Sequence, residues 1–202
     1  MPVVINRASE HIRIVEERLL SSDWYVLKKT IFDYRRRDGR WQRLSRETYD
    51  RGNGACILLY NSERKTVVLT RQFRFPAFVN GCGDGFLIET CAGLLDAEDP
   101  ATCIVRETEE ETGYRVGAVE RVFDAYMSPG SVTERLSFFV APYEPRQRAT
   151  DGGGDQAEGE DIEVLEPTLD EAMAMVARGE ICDGKTIMLL QYAKLAGLLD
   201  RA

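Results

Sequence analysis

The sequence predicts an α+β fold: a mixed β-sheet with helices packed on it, preceded by a small antiparallel sheet. Residues 12–51 alternate in character as half-buried strands do, and two apolar runs at 55–60 and 66–70 bracket a polar turn. Later, strand-like segments flank a helical stretch at 100–112.

Taken in order, Ile12, Ile14, Trp24, Val26, Phe32 and Tyr34 lead to Asp38-Gly39, a hairpin turn signal ahead of residues 41–49. The run Asp50-Arg51-Gly52-Asn53-Gly54 breaks this pattern, so an N-terminal sheet over 1–51 and a main domain over 52–202 are expected. Asn61-Ser62-Glu63-Arg64 turns the buried hairpin, and residues 86–91, 118–127 and 136–140 read as strands. Pro100 suits a helix start and Gly113 a left-handed stop. Helices are expected again from Thr168 and over 185–199, while the Gly-rich, acidic stretch 150–160 has no large apolar residue and reads as a mobile loop.

Composition narrows the function. At 202 residues, 44% hydrophobic and 30% charged, the chain can bury one full core but is too polar to live in a membrane. A net charge of −8 repels nucleic-acid phosphate, so no nucleic-acid partner is expected. Residues 1–8 carry no secretory apolar core, and the five cysteines form an odd set with no C-x-x-C pair, so reduced, mostly buried thiols and a cytoplasmic location are expected. His11 is the one histidine, which leaves a Ser-His-Asp triad or an imidazole metal site without its parts. Chemistry here has to run on carboxylates.

Residues 106–114 read Arg-Glu-Thr-Glu-Glu-Glu-Thr-Gly-Tyr, with four glutamates in the five positions from 107 to 111. On a helix turning about 100° per residue, Glu111 returns to within roughly 40° of Glu107 and Glu110 lies about 60° to the other side, while Glu109 points nearly away. Like charges so placed repel one another and favour a hard divalent cation among them, Mg²⁺ or Mn²⁺. The literal G-x-x-x-x-G-K-T at 179–186 is set aside as a phosphate loop, since a helical stretch precedes it and Glu180 and Asp183 stand where backbone amides should meet phosphate. A calcium loop starting at Asp151 also fails, with Gly153 and Ile162 at ligand positions.

From Gly93-Leu94-Leu95-Asp96 to Gly113-Tyr114 the chain resembles the Nudix hydrolase signature, G-x5-E-x7-R-E-U-x-E-E-x-G-U. Its loop is one residue short, its first glutamate slot is shared between Glu98 and Asp99, and Thr108 fills an apolar slot. The resemblance implies a Nudix-type α/β/α sandwich in which Glu107, Glu111 and the backbone carbonyl of Ala92 ligate metal. It further implies that Glu110 ligates or assists and that Arg106 pairs with a glutamate to hold it in place.

Segments 49–54, 71–74, 126–130, 160–163 and 183–186 are similar to the GDP-mannose pyrophosphatase branch of that superfamily, while Pro129 after the box is shared with ADP-ribose pyrophosphatases. The reaction so implied is Mg²⁺-dependent hydrolysis of a nucleoside diphosphate sugar, GDP-mannose first and ADP-ribose as the alternative. A non-catalytic nucleotide-sugar sensor is the reading from another class. An acidic residue on a closing loop could serve as base, and Glu160 is the candidate; by resemblance it contacts metal, so it is ligand, base or both, with Asp161 and Glu163 as neighbouring substitutes. Arg74, following an apolar strand, could fork onto phosphate oxygens. By resemblance Lys185 and Glu134 contact the sugar nucleotide, as do Gly93 and Leu94 at the turn and Tyr25, Arg46 and Glu47 from the N-terminal sheet. In that family the N-terminal part is exchanged in a homodimer, which leaves these last three on either subunit.

Overall fold

The computed structural model describes residues 9–200, apart from the side chain of Glu158; the N-terminal stretch 1–8, in which no secretory core was expected, lies outside the described residues. Two compact units emerge, one of residues 9–53 with 126–135 and one of residues 54–125 with 136–200.

In the first unit, β1 (Ile12–Ser22), β2 (Val26–Arg35) and β3 (Trp41–Asp50) form an antiparallel sheet in that order. Ile14 and Leu44 both face Phe32 across the strands, the cross-strand pairing that the alternation foretells. Gly39 takes φ 82° at the β2–β3 turn, where Asp38 accepts the Arg40 amide. Residues of the 126–135 segment dock on β3: the Tyr49 amide donates to the Ser131 carbonyl at 2.8 Å and the Thr133 amide to the Tyr49 carbonyl at 3.1 Å.

The second unit contains β4 (Gly54–Asn61), β5 (Thr66–Phe73), α1 (Phe75–Val79), β6 (Phe86–Glu89), β7 (Cys91–Leu94), α2 (Pro100–Thr112), most of β8 (Glu120–Tyr126) and β9 (Arg135–Pro142), then β10 (Glu163–Leu165), α3 (Leu169–Arg178) and α4 (Gly184–Leu195). The sheet runs β10-β5-β4-β9-β8, with β6 on β5 and β7 on β4. It is mixed: β4 and β9 are parallel, whereas β4 pairs antiparallel with β5 and β7. Ala55, Ile57 and Leu59 of β4 join Ile104 of α2 in one buried cluster, while the alternate residues Cys56 and Leu58 are just as buried on the opposite face. Helix α4, with buried Leu189, Leu190 and Ala193, contacts the same strand. The expected α+β class and layered sheet are therefore present.

Several details differ from expectation, among them the helix expected over 185–199, which ends at Leu195. The strand read as residues 86–91 is two, because the chain changes partner at Thr90, whose hydroxyl donates to the Ile57 carbonyl and whose amide donates to Thr186 Oγ1 at 2.7 Å. Helix α1 follows Arg74 with Pro76 in its first turn, a one-turn element too short to show periodicity. Stretch 150–160 is tied to α2: the Gly153 and Gly154 amides donate to the Glu111 and Glu110 carbonyls at 2.9 and 3.1 Å. Those bonds satisfy acceptors that the end of a helix leaves open.

Candidate active site

Helix α2 is built so that one carboxylate must be buried. Asp99 caps it, accepting the Ala101 amide at 3.0 Å and the Thr102 amide at 3.3 Å, and Gly113 ends it at φ 77°. Its inward stripe is Ile104, Thr108 and Glu111, at steps of four and three. Thr108, polar in an apolar slot, returns its hydroxyl to the Ile104 carbonyl at 2.6 Å, so its burial leaves the donor satisfied.

Glu111 has no such answer. It is 1% exposed, and its Oε2 is buried without a hydrogen-bond partner. Burial pushes its carboxyl up to about 8; a hydrogen bond from Cys91 pulls the other way, and the charges of Glu160 and Glu107 add to the rise. Glu107 is also raised, by burial first, with Arg106 opposing and Glu110 and Glu160 reinforcing. Glu107, Glu111 and Glu160 are thus within electrostatic reach of one another.

The strand opposite is cut to fit. A Cβ on Gly93 would lie 2.3 Å from the Glu107 side chain, so only glycine lets that carboxylate lie against β7 beside Ala92 and Leu94. Arg106 splays over three acids, at 2.7 Å from Glu110, 2.9 Å from Glu107 and 3.3 Å from Glu98. The two residues sharing the first glutamate slot are therefore separated: Asp99 is the cap and Glu98 an Arg106 partner. Glu160 accepts the Asp155 amide at 2.9 Å, and a Cβ on Gly154 would lie 2.3 Å from its Oε2.

These donors fit a hard divalent cation: carboxylate oxygens, one orphaned in the interior, around a strand backbone left bare by glycine. Among the described residues no three acidic, histidine or cysteine side chains converge closely enough to grip an ion as they stand. Arg106 instead holds Glu107 and Glu110 through its ion pairs.

Beside the carboxylates lies a second charged group. Glu89, at the end of β6, receives Arg74 on Oε2 from Nε at 2.8 Å and from Nη2 at 2.7 Å, and receives Lys185 on Oε1 at 2.7 Å. Lys185 also meets Asp183, the N-cap of α4, at 3.1 Å. Sequence reasoning missed Glu89 and Asp183. A glutamate inside the apolar run 86–91 was the available signal, since an acid there needs a cation.

In the first unit, Arg46 and Glu47 line a cavity of about 450 Å³ with Tyr126, Pro129 and Ser131. Tyr25 packs edge-on against Tyr49 at 5.7 Å and beneath Arg51, which pairs with Glu134 at 3.4 Å. Of the sequence-derived site residues, Arg74, Ala92, Gly93, Leu94, Arg106, Glu107, Glu110, Glu111, Glu160 and Lys185 belong to the second unit, and Tyr25, Arg46, Glu47 and Glu134 to the first.

Residues 11–49 match the GDP-mannose pyrophosphatase NudK N-terminal domain, and residues 50–189 match the NUDIX domain. The GDP-mannose pyrophosphatase of Pectobacterium atrosepticum is 58% identical over 189 residues, covering 94% of this chain and 97% of that protein. The GDP-mannose pyrophosphatase of Salmonella typhimurium is 53% identical over 192 residues, covering 95% and 100%. A crystal structure of an ADP compounds hydrolase shares the fold, with a TM-score of 0.70 at 14% identity, covering 95% of this chain and 98% of that one. Matched to the NUDIX domain over more than half its length, and 58% and 53% identical to those two GDP-mannose pyrophosphatases over 94% and 95% of its length, the chain belongs to the Nudix hydrolase family.

Proposed function

We propose that this enzyme hydrolyses the diphosphate bridge of a nucleoside diphosphate sugar, GDP-mannose, to GMP and mannose 1-phosphate, using Mg²⁺. The observation that carries the reading is the buried, unpartnered Oε2 of Glu111 beside Glu107 and Glu160. A carboxylate is costly to keep in the interior unless a cation compensates it. The names of its relatives supply the substrate.

Glu107, Glu111, Glu160 and the Ala92 carbonyl would hold the ion, with Mn²⁺ as a substitute. Bound there, it would neutralise the bridging phosphates and acidify a water. Arg106 keeps Glu107 and Glu110 oriented through its ion pairs. Glu160 accepts the proton of the attacking water, its carboxylate steadied by the Asp155 amide. Arg74 and Lys185 meet phosphate oxygens, and the backbone at Gly93 and Leu94 bounds the substrate on the β7 side.

Tyr25, Arg46 and Glu47 serve the sugar nucleotide from the N-terminal sheet, and Glu134 does so from the segment after Pro129. We further propose a homodimer formed through the N-terminal sheet, a reading supported by Trp24 and Leu19, which are 81% and 59% exposed there. We propose a cytoplasmic location, a reading supported by five cysteines with no C-x-x-C pair; no helix among the described residues is long and apolar enough to cross a membrane.

The test is product release from GDP-mannose and ADP-ribose, with phosphatase added to unmask the monoesters, with and without Mg²⁺. Mg²⁺-dependent turnover favouring GDP-mannose is expected. Preference for ADP-ribose would overturn the substrate, and turnover of neither would leave the sensor reading. Light scattering at twice the chain mass is the expected mark of the dimer.

A further inference from the structure

Glu89 belongs to no part of the Nudix box, yet it is among the most deeply buried charges of the molecule, its side chain 4% exposed. Both its oxygens are occupied by cations, Lys185 on one and Arg74 on the other. Around it runs a closed circuit: Lys185 reaches Asp183, Asp183 accepts the Thr186 amide at 2.9 Å and hydroxyl at 2.6 Å, and Thr186 Oγ1 accepts the amide of Thr90, the next residue after Glu89. Two acids and two bases cancel, which lets the group lie in the interior. Buried ion pairs of this kind add little net stability over apolar packing, so what the circuit supplies is geometry.

Geometry is what these cations need. Lysine carries its charge on a flexible stem, and a guanidinium recognises phosphate only from a fixed plane. Arg74, the residue after β5, stays partly exposed, and its charge acts on Glu111 as well as on Glu89.

We propose that Glu89 is a positioning residue for substrate binding, a buried carboxylate that fixes the Arg74 and Lys185 cations in the arrangement that receives the substrate's phosphates. This rests on the phosphate-binding roles proposed for those two residues. Glu89 touches no reacting atom and acts through them.

The experiment is steady-state hydrolysis of GDP-mannose with Mg²⁺ by the full chain and by Glu89→Gln, Arg74→Ala, Lys185→Met and the two doubles that combine Glu89→Gln with each. Glu89→Gln is expected to raise KM about 10- to 100-fold, the worth of a charge-assisted hydrogen bond, with kcat changed less than about threefold. In each double the loss in kcat/KM should fall short of the product of the single losses by more than about threefold. An unchanged KM in Glu89→Gln, or losses that multiply in full, would overturn the proposal. Should Glu89→Gln not fold, Glu89→Asp keeps the charge but draws it back by one methylene, and the same KM rise is expected of it. The underlying reading fails on a different pattern, a wild-type chain inert toward GDP-mannose or an unchanged KM in both Arg74→Ala and Lys185→Met, and this inference falls with it.

Discussion

Two glutamates of this protein are buried to nearly the same depth, and their surroundings are opposite. Glu89 has a cation on each oxygen. Glu111 has a thiol neighbour, two like-charged neighbours and one oxygen with nothing on it. Desolvation weighs on both, so the difference lies in who repays it. Where the charges are already matched the acid is placed to hold other protein groups still, and where one oxygen is orphaned it is open to a cation, the two roles proposed above.

The strongest break in this contrast comes from making the same change at both places. With Glu111 in its proposed metal role, Glu111→Gln is expected to lower turnover by a factor of about 10³ or more, since it removes the ligand charge without changing size. Melted without Mg²⁺, it should be at least as stable as the parent, because a neutral amide replaces a buried carboxyl. Glu89→Gln, which strands two cations, should melt lower. Undiminished turnover in Glu111→Gln would sink the metal role.

Next in size is Gly93→Ala. Its methyl would land 2.3 Å from Glu107 and push that carboxylate off β7, so activity should fall about 100-fold, the cost of an ångström-scale misplacement, with little change in melting.

A pH series sharpens the contrast further. In the metal-free protein the folded Glu111 carboxyl sits at about 8 against an ordinary 4.5. Between those values the folded chain keeps a proton that the unfolded chain has released. The associated stability is therefore full below 4.5 and is lost as pH rises to about 8, at a rate of up to about 1.4 kcal/mol per unit. Mg²⁺ held by Glu111 as proposed would have to displace that proton, so the rise in melting temperature on adding Mg²⁺ should grow with pH up to about 8 and then level off. A Mg²⁺ effect of the same size at every pH would separate Glu111 from the metal.

The smallest effect tests an acid satisfied by amides rather than by cations. Asp99→Ala removes the α2 cap and should cost about 1 kcal/mol, or about 2–4 °C in melting temperature, while leaving turnover unchanged.

Much of this was legible in the sequence where periodicity or spacing speaks. The hairpin of β4 and β5 and helix α2 followed from apolar runs, Pro100 and Gly113, and the Nudix box from the spacing of Arg106, Glu107, Glu110, Glu111 and Gly113. What stayed hidden depends on contacts distant in the chain. Glu89 is read as one polar residue in a strand until Lys185, 96 positions later, is brought to it. Glu98 and Asp99 are equivalent by spacing and are told apart only by their partners, an arginine and two helix amides. The run 185–199 keeps its apolar character past Leu195, but the helix ends there and turns at Gly197, φ 60°.

The stretch after Thr150 has two halves with different tolerance for change. A methyl on Gly152 would come within 2.4 Å of the Glu111 carbonyl and one on Gly154 within 2.3 Å of the Glu160 carboxylate, whereas Gly159 has open space around it. Evolutionary drift in length, or a reporter peptide grafted by design, has room only in the outer half, near Gly159. Gly152 and Gly154 are packed tightly, and one added carbon meets the backbone of the acid-bearing helix at the first and the Glu160 carboxylate at the second.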